Sequence, residues 1–142
     1  MMNKYLSIDL GSKTLGLATS QGVVASPSLT LKFEEWNFEQ AKEKLLDYLW
    51  KNPCEKIIIG YPKNMDGSIG ERAEMIDYFI ELFLADNPRF EASDIIKVDE
   101  RRTTKMARQI MIEANLSREQ QKQKKDSLAA QLILEQYLNS IN

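Results

Sequence analysis

Four acids occupy positions from which they could do chemistry together: Asp9, the adjacent pair Asp99 and Glu100, and Asp126. Asp9 closes one expected strand, Asp99–Glu100 closes another, and Asp126 is expected to open the last helix. In open sheets, ligands gather at the carboxyl ends of parallel strands. If the strand ending at Asp9 neighbours the later strands, the first three acids share one edge of the sheet. A helix whose face runs Asp126, Ala130, Ile133, Tyr137 must then cross that edge, with Ala130 permitting close approach. Clustered carboxylates repel and need protons or cations between them. Oxygen-only ligands suit Mg²⁺ or Mn²⁺ rather than zinc. Two such ions about 3.5–4 Å apart stabilise both the attacking and the leaving oxygen of a phosphodiester, with metal-bound water as nucleophile. The plainer alternative is that Asp9 and Asp99 end strands as turn formers and Asp126 caps a helix.

Composition narrows the chemistry. The chain has no histidine, which excludes a Ser-His-Asp triad, a Cys-His pair and histidine-bound zinc. Acid–base work near neutral pH must then use carboxylates, lysines or metal-bound water. Cys54 is the only cysteine, so no internal disulfide forms, and a buried small side chain is expected there. The net charge is −2, which argues against a general nucleic-acid coat protein. Yet residues 97–125 carry +5 and the rest of the chain −7. That segment is either a polyanion footprint or a solvated helix face with a polar loop. Asp9-Leu10-Gly11-Ser12-Lys13 is not a P-loop, which needs Gly-x-x-x-x-Gly-Lys-Ser/Thr opening a helix. Lys13 is placed either to meet a phosphate or simply to sit in a hairpin turn. Arg72, in the first turn of an expected helix, is at the poorer end for a base; a substrate phosphate or a carboxylate partner would explain it.

These residues need elements to hold them. At 142 residues, one domain spanning 1–142 is expected. No apolar run approaches the ~18 residues of a membrane span, and a soluble, cytoplasmic protein is expected. Leu6 and Ile8 should share one strand face, Ser7 and Asp9 the other. Thr14–Thr19 reads as a second strand. Val23–Leu31 reads as a third, with Pro27 marking an edge or bulge. Asn37 should cap a helix, with Gln40 closing a capping box and Ala41, Leu45, Tyr48 and Leu49 facing the core. Lys56–Ile59 reads as a central parallel strand, followed by a loop from Gly60 to Gly70. A helix over Glu71–Ala85 should bury Ile76, Phe79, Leu82 and Phe83. Ile95–Val98 is the last strand. A helix from Thr103 or Thr104 should carry Ala107, Ile110 and Ala114 on one side, and the final helix should run from Asp126 to about Leu138. The sum is a mixed α/β sheet covered by helices.

Four segments, SIDLGSKTLGLA (7–18), IIIGYPKNMDGSIGERA (57–73), VDERRTT (98–104) and KKDSLAAQLILEQYL (124–138), together resemble the YqgF (RuvX) family. Its members are described as Holliday junction resolvases or pre-16S rRNA nucleases. The resemblance implies a ribonuclease H-like five-stranded sheet in order 3-2-1-4-5 with helices on both faces. It implies a Mg²⁺ or Mn²⁺ site at Asp9, Glu100 and Asp126, with Asp99 as runner-up to Glu100. The family loop matches Gly60, Pro62, Asn64, Asp66, Gly67, Gly70 and Arg72. Its arginine and hydroxyl positions match Arg101, Thr103 and Thr104. Gly11, Lys13, Lys124 and Lys125 complete the expected turn and phosphate contacts. Tyr61 stands where leucine is more usual, and Glu119-Gln120-Gln121 thins the basic stretch before Asp126. The implied activity is phosphodiester hydrolysis in structured nucleic acid, such as pre-rRNA in ribosomal precursor particles or branched DNA. The protein would act as a monomer or a homodimer. An actin-like nucleotide-binding fold shares the Asp-x-Gly turn, but it needs two lobes and a second phosphate loop. A catalytically silent RNA-binding assembly factor is the other alternative.

Overall fold

The computed structural model describes residues 3–22, 24–62, 70–99 and 109–141. Strands β1 (Asn3–Leu10), β2 (Thr14–Gln21) and β3 (Val24–Lys32) form an antiparallel meander. Helix α1 (Phe38–Lys51) leads to β4 (Cys54–Tyr61), and α2 (Glu71–Ala85) leads through a short 3₁₀ turn (Ala92–Asp94) to β5 (Ile95–Asp99). Residues 109–113 are helical, and α3 spans Arg118–Ile141. The sheet order is β3-β2-β1-β4-β5, with β1, β4 and β5 parallel. This is the 3-2-1-4-5 order that the sequence resemblance implies. No helix among the described residues is long and apolar enough to cross a membrane.

Alternation along the strands divides the interior. Leu6, Ile8, Ile57 and Ile59 face α1 and α2, where Leu45, Leu49, Ile76, Phe79 and Phe83 complete one core. Tyr5, Ala18, Ala25 and Ile58 face α3, against Ala130, Ile133, Leu134 and Leu138. The α1 and α2 stripes are those expected, except that Leu82 is only partly buried. Pro27 lies on the edge strand, next to the irregularity where the β2–β3 register shifts. Cys54 is buried, which pushes its thiol up to about 12.

Four expectations change. Gly60 and Tyr61 belong to β4, not to the following loop. Asn37 caps α1 by accepting from the Gln40 N–H at 3.1 Å, but the Gln40 side chain accepts from the Glu34 N–H at 2.6 Å instead of closing a capping box on Asn37. In the 109–113 segment Met111 is buried, while Ile110 and Ala114 are exposed. Finally, Asp126 does not open α3. The helix begins eight residues earlier, because Ser117 and Gln120 form a reciprocal capping box: the Gln120 N–H donates to Ser117 Oγ at 3.2 Å, and the Ser117 N–H to Gln120 Oε1 at 2.9 Å. Asp126 therefore lies more than two turns inside α3 and is not its cap.

Candidate metal centre and nucleic-acid groove

Asp9 pairs with Gly16 across the β1–β2 ladder. Directly opposed residues in an antiparallel pair point to the same face, with Cα atoms about 4.5–5.5 Å apart. That face is the one α3 covers, since Tyr5 and Ser7 precede Asp9 at the same parity. The helix comes down on it closely. A Cβ built on Gly16 would lie 2.2 Å from the Asp126 carbonyl oxygen and 2.4 Å from its carbonyl carbon. Only glycine admits that approach. One turn further along, Ser7 Oγ donates to the Ala130 carbonyl at 2.5 Å. Two points thus pin α3 to the sheet and hold the Asp126 backbone against the strand partner of Asp9.

Asp9 itself is buried, at 8% exposure. Arg72, in the first turn of α2, brings Nη2 to 3.9 Å from Asp9 Oδ1. A buried carboxylate needs such a partner, and the base at the unfavourable helix end finds one. The turn after β1 is closed by the Gly11 N–H donating to the Thr14 carbonyl at 2.8 Å. Asp9, Gly11, Lys13, Arg72, Lys124, Lys125 and Asp126 all line one groove of about 1670 Å³. Small-molecule sites are about 300–1,000 Å³, so this open groove is larger than those.

Other expected site residues lie apart. Gly60 lies at the penultimate position of β4, Pro62 directly follows that strand, and Gly70 precedes α2. By strand parity Asp99 falls with Lys97, whose amine donates to Asp77 on α2, and therefore opposite the face of Asp9. The Asp99 carbonyl accepts from the Gln136 side chain at 3.2 Å, tying the end of β5 to α3. Asn64, Asp66, Gly67, Glu100, Arg101, Thr103 and Thr104 lie outside the described residues. Among the described residues no group of three or more acids or thiols converges. Asp9 and Asp126 both line the groove, and carboxylate oxygens are the donor type a hard divalent ion takes.

Sequence reasoning passed over several residues here. Gly16 carries the α3 crossing; an isolated glycine inside a strand is itself a signal of close backbone approach. Ser117-x-x-Gln120 was a legible capping box. Tyr61, which stands where leucine is more usual, donates to Asp77 Oδ2 at 2.7 Å, and Lys97 donates to Oδ1 at 2.7 Å while lying 4.5 Å from the Tyr61 ring centroid. Burial and the bond to Asp77 push the Tyr61 hydroxyl up to about 12. Burial alone would raise Asp77, but the bonds from Lys97 and Tyr61 outweigh it and hold the carboxyl below its ordinary range.

An antiparallel meander continued by two parallel strands, with an acid at the end of the central strand and a helix laid across it, defines a ribonuclease H-like fold. Solved structures agree on the fold. T. thermophilus RuvC in complex with a Holliday junction substrate superposes with a TM-score of 0.57 at 16% identity, over 99% of this chain and 96% of that one. Fowlpox virus resolvase with its junction DNA gives 0.57 at 12% identity, over 96% and 97%. The family model described as "RuvX: Holliday junction resolvase" matches residues 3–140, and the chain belongs to that family. A Mesoplasma florum protein named "Putative pre-16S rRNA nuclease" is 58% identical over 99% of both chains. A Staphylococcus aureus protein of the same name is 38% identical over 100% of this chain and 99% of its own.

Proposed function

We propose that this protein is a divalent-metal-dependent nuclease that hydrolyses phosphodiester bonds in structured nucleic acid. Its substrate is the 16S rRNA precursor near the 5′ end, in cytoplasmic ribosomal precursor particles. The observation that carries this is the seating of Asp126 on Gly16, beside the strand partner of Asp9. Asp9, Glu100 and Asp126 would hold the metal, Mg²⁺ or Mn²⁺, with Asp99 the runner-up to Glu100. When bound, such ions supply a water nucleophile at neutral pH and stabilise charge on the phosphate oxygens.

The chain's own residues do the rest. Lys13, Lys124 and Lys125 neutralise backbone phosphates along the groove. Arg72 lies beside the buried Asp9 carboxylate on the groove wall, where its planar fork would meet a substrate phosphate. Asn64, Arg101, Thr103 and Thr104 add hydrogen bonds to the strand. No histidine is needed, because no side chain has to carry the proton of the attacking water.

The test is Asp9→Asn with an end-labelled pre-16S rRNA fragment. Cleavage should fall at least a thousandfold while binding remains. Equal cleavage by mutant and wild type removes Asp9 from the chemistry, and binding without cleavage by the wild type makes the protein an RNA-holding assembly factor. The family description favours a second substrate, branched DNA. Paired symmetric cuts require a two-fold dimer. A monomer by light scattering that cuts pre-rRNA decides for the RNA.

A further inference from the structure

We infer that Trp36 is a specificity residue that stacks on an unpaired base of the substrate strand, at the wall of the groove containing Asp9. This rests on the nucleic-acid role proposed for that groove. Trp36 lies between β3 and α1, lines the groove, and is 62% exposed. Its φ is 64°, a left-handed conformation that bulky side chains rarely adopt. The conformation is held from outside. The Trp36 N–H donates to the Ser12 carbonyl at 2.7 Å, and the neighbouring Phe33 N–H donates to the Lys13 carbonyl at 3.0 Å. The tryptophan is therefore bonded to the same turn that carries Lys13. Its indole meets Phe38 edge-on at 6.2 Å, and Phe38 is buried against Phe33 and Phe79.

A tryptophan serving only the core would be covered. This one packs edge-on against the buried Phe38, in a left-handed backbone conformation, with most of its surface open to solvent at the groove wall. Lys13 and Lys32 line the same wall and are exposed. Lysines that track phosphates, interleaved with an aromatic platform, make the arrangement that binds single strands. Bases within a duplex are stacked on one another and offer no free face. The groove therefore selects strands with an unpaired nucleotide next to the scissile region.

The chain has two tryptophans. Trp50, on α1, does not line the groove, so Trp50→Phe leaves Trp36 as the sole indole reporter. That variant is titrated, without divalent metal, with a ten-nucleotide single-stranded RNA and with the same sequence as a blunt duplex. The single strand should quench Trp36 emission and the duplex should not. Trp36→Gly, which suits a φ of 64° and so preserves the turn, should weaken single-strand binding by at least tenfold, within the ~5–150-fold range of losing one stacked base. Trp36→Phe should recover it to within about threefold, and duplex binding should move less than twofold. Single-strand binding by Trp36→Gly within twofold of wild type overturns the inference, as does equal quenching by both ligands or no binding of the single strand. Should Trp36→Gly fail to fold, the quenching comparison alone decides. Loss of binding in Trp36→Gly alongside unchanged cleavage in Asp9→Asn would sink the nuclease chemistry and leave the stacking intact. The reverse pair of results would do the opposite.

Discussion

The two faces of the sheet are built differently. On the α1–α2 face the side chains are large: Phe79, Phe83, Leu45 and Ile76 stand between helix and strand. On the α3 face large side chains such as Tyr5, Ile58, Ile133 and Leu134 are interrupted by small ones: Gly16 lets the Asp126 backbone come close, Ala18, Ala25 and Ala130 lie in the same core, and a buried polar tie runs from Ser7 to the Ala130 carbonyl. Thick packing buries more apolar area and holds the sheet together. Close packing at Gly16 leaves no room for a side chain and fixes the distance between helix and strand there. Asp9 points to the α3 side, where the proposed metal site would need its ligands held closely. Under that proposal stability and chemistry fall on opposite faces, and substitutions on the two should separate them.

Phe79→Ala, on the thick face, should have the largest effect on stability. It deletes a fully buried ring and should cost about 3–5 kcal/mol in urea unfolding, while the protein that remains folded keeps its cleavage rate per molecule. Gly16→Ala, on the α3 face, should cost less, about 1–3 kcal/mol as an overpacked site. It should nevertheless lower cleavage at least tenfold, because the added methyl can be relieved only by lifting Asp126 away. If Gly16→Ala cleaves like wild type, the close seating of α3 is not what assembles the site. If Phe79→Ala loses specific activity as fully as Gly16→Ala, the division between faces is wrong.

A smaller effect is expected at the groove rim. Lys124 and Lys125 are exposed, and each contributes as a screened point charge. Replacing both with alanine should weaken RNA binding and make it less salt-dependent. The slope of log K against log salt should become shallower by about 0.7–0.9 for every phosphate that the protein no longer neutralises. The melting temperature should stay within a degree or two. An unchanged slope removes these lysines from the footprint.

Much of this division was legible beforehand, because period-2 patterning is local. Leu6 and Ile8 against Ser7 and Asp9 assigned the two faces of β1, and the parallel run Ile57–Ile59 marked a strand buried on both sides. The α1 and α2 stripes were legible for the same reason at period 3.6. What escaped depends on contacts between distant segments. Ile110-Met111-Ile112 is apolar at every position, so period alone does not choose which residue turns inward; packing buries Met111. Gly16 looks like any strand glycine until α3 arrives 110 residues later. The start of α3 was misplaced because its first two turns, Arg118–Lys125, are polar throughout and carry no stripe; the Ser117–Gln120 cap was the better guide. The choice of Glu100 over Asp99 came from resemblance, with strand alternation only compatible with it, and Glu100 lies outside the described residues.

The smallest effect expected is on the thick side, where Tyr61, Asp77 and Lys97 join β4, α2 and β5. Asp77 is held below the ordinary aspartate value of about 3.9. Its ionised form is therefore favoured in the folded state. The stability this contributes is fully present above about pH 4 and is lost as pH falls through the folded value. The side chain is 37% exposed, so solvent screens the interaction and the contribution is small. Asp77→Asn should lower the urea midpoint slightly at pH 7, and the loss between pH 5 and pH 3 should be shallower than in wild type. At the alkaline end Tyr61 works in the opposite direction. Its hydroxyl stays protonated up to about 12 when folded, so unfolding is favoured as pH rises from about 10 toward 12. Burial also raises the Tyr137 hydroxyl, so an absorbance titration of the tyrosines should show a late phase that Tyr61→Phe diminishes. Neither substitution should touch the cleavage rate by more than about twofold. A larger loss would mean that the network at the end of β4 positions the substrate as well as the sheet, and the two faces would then be coupled.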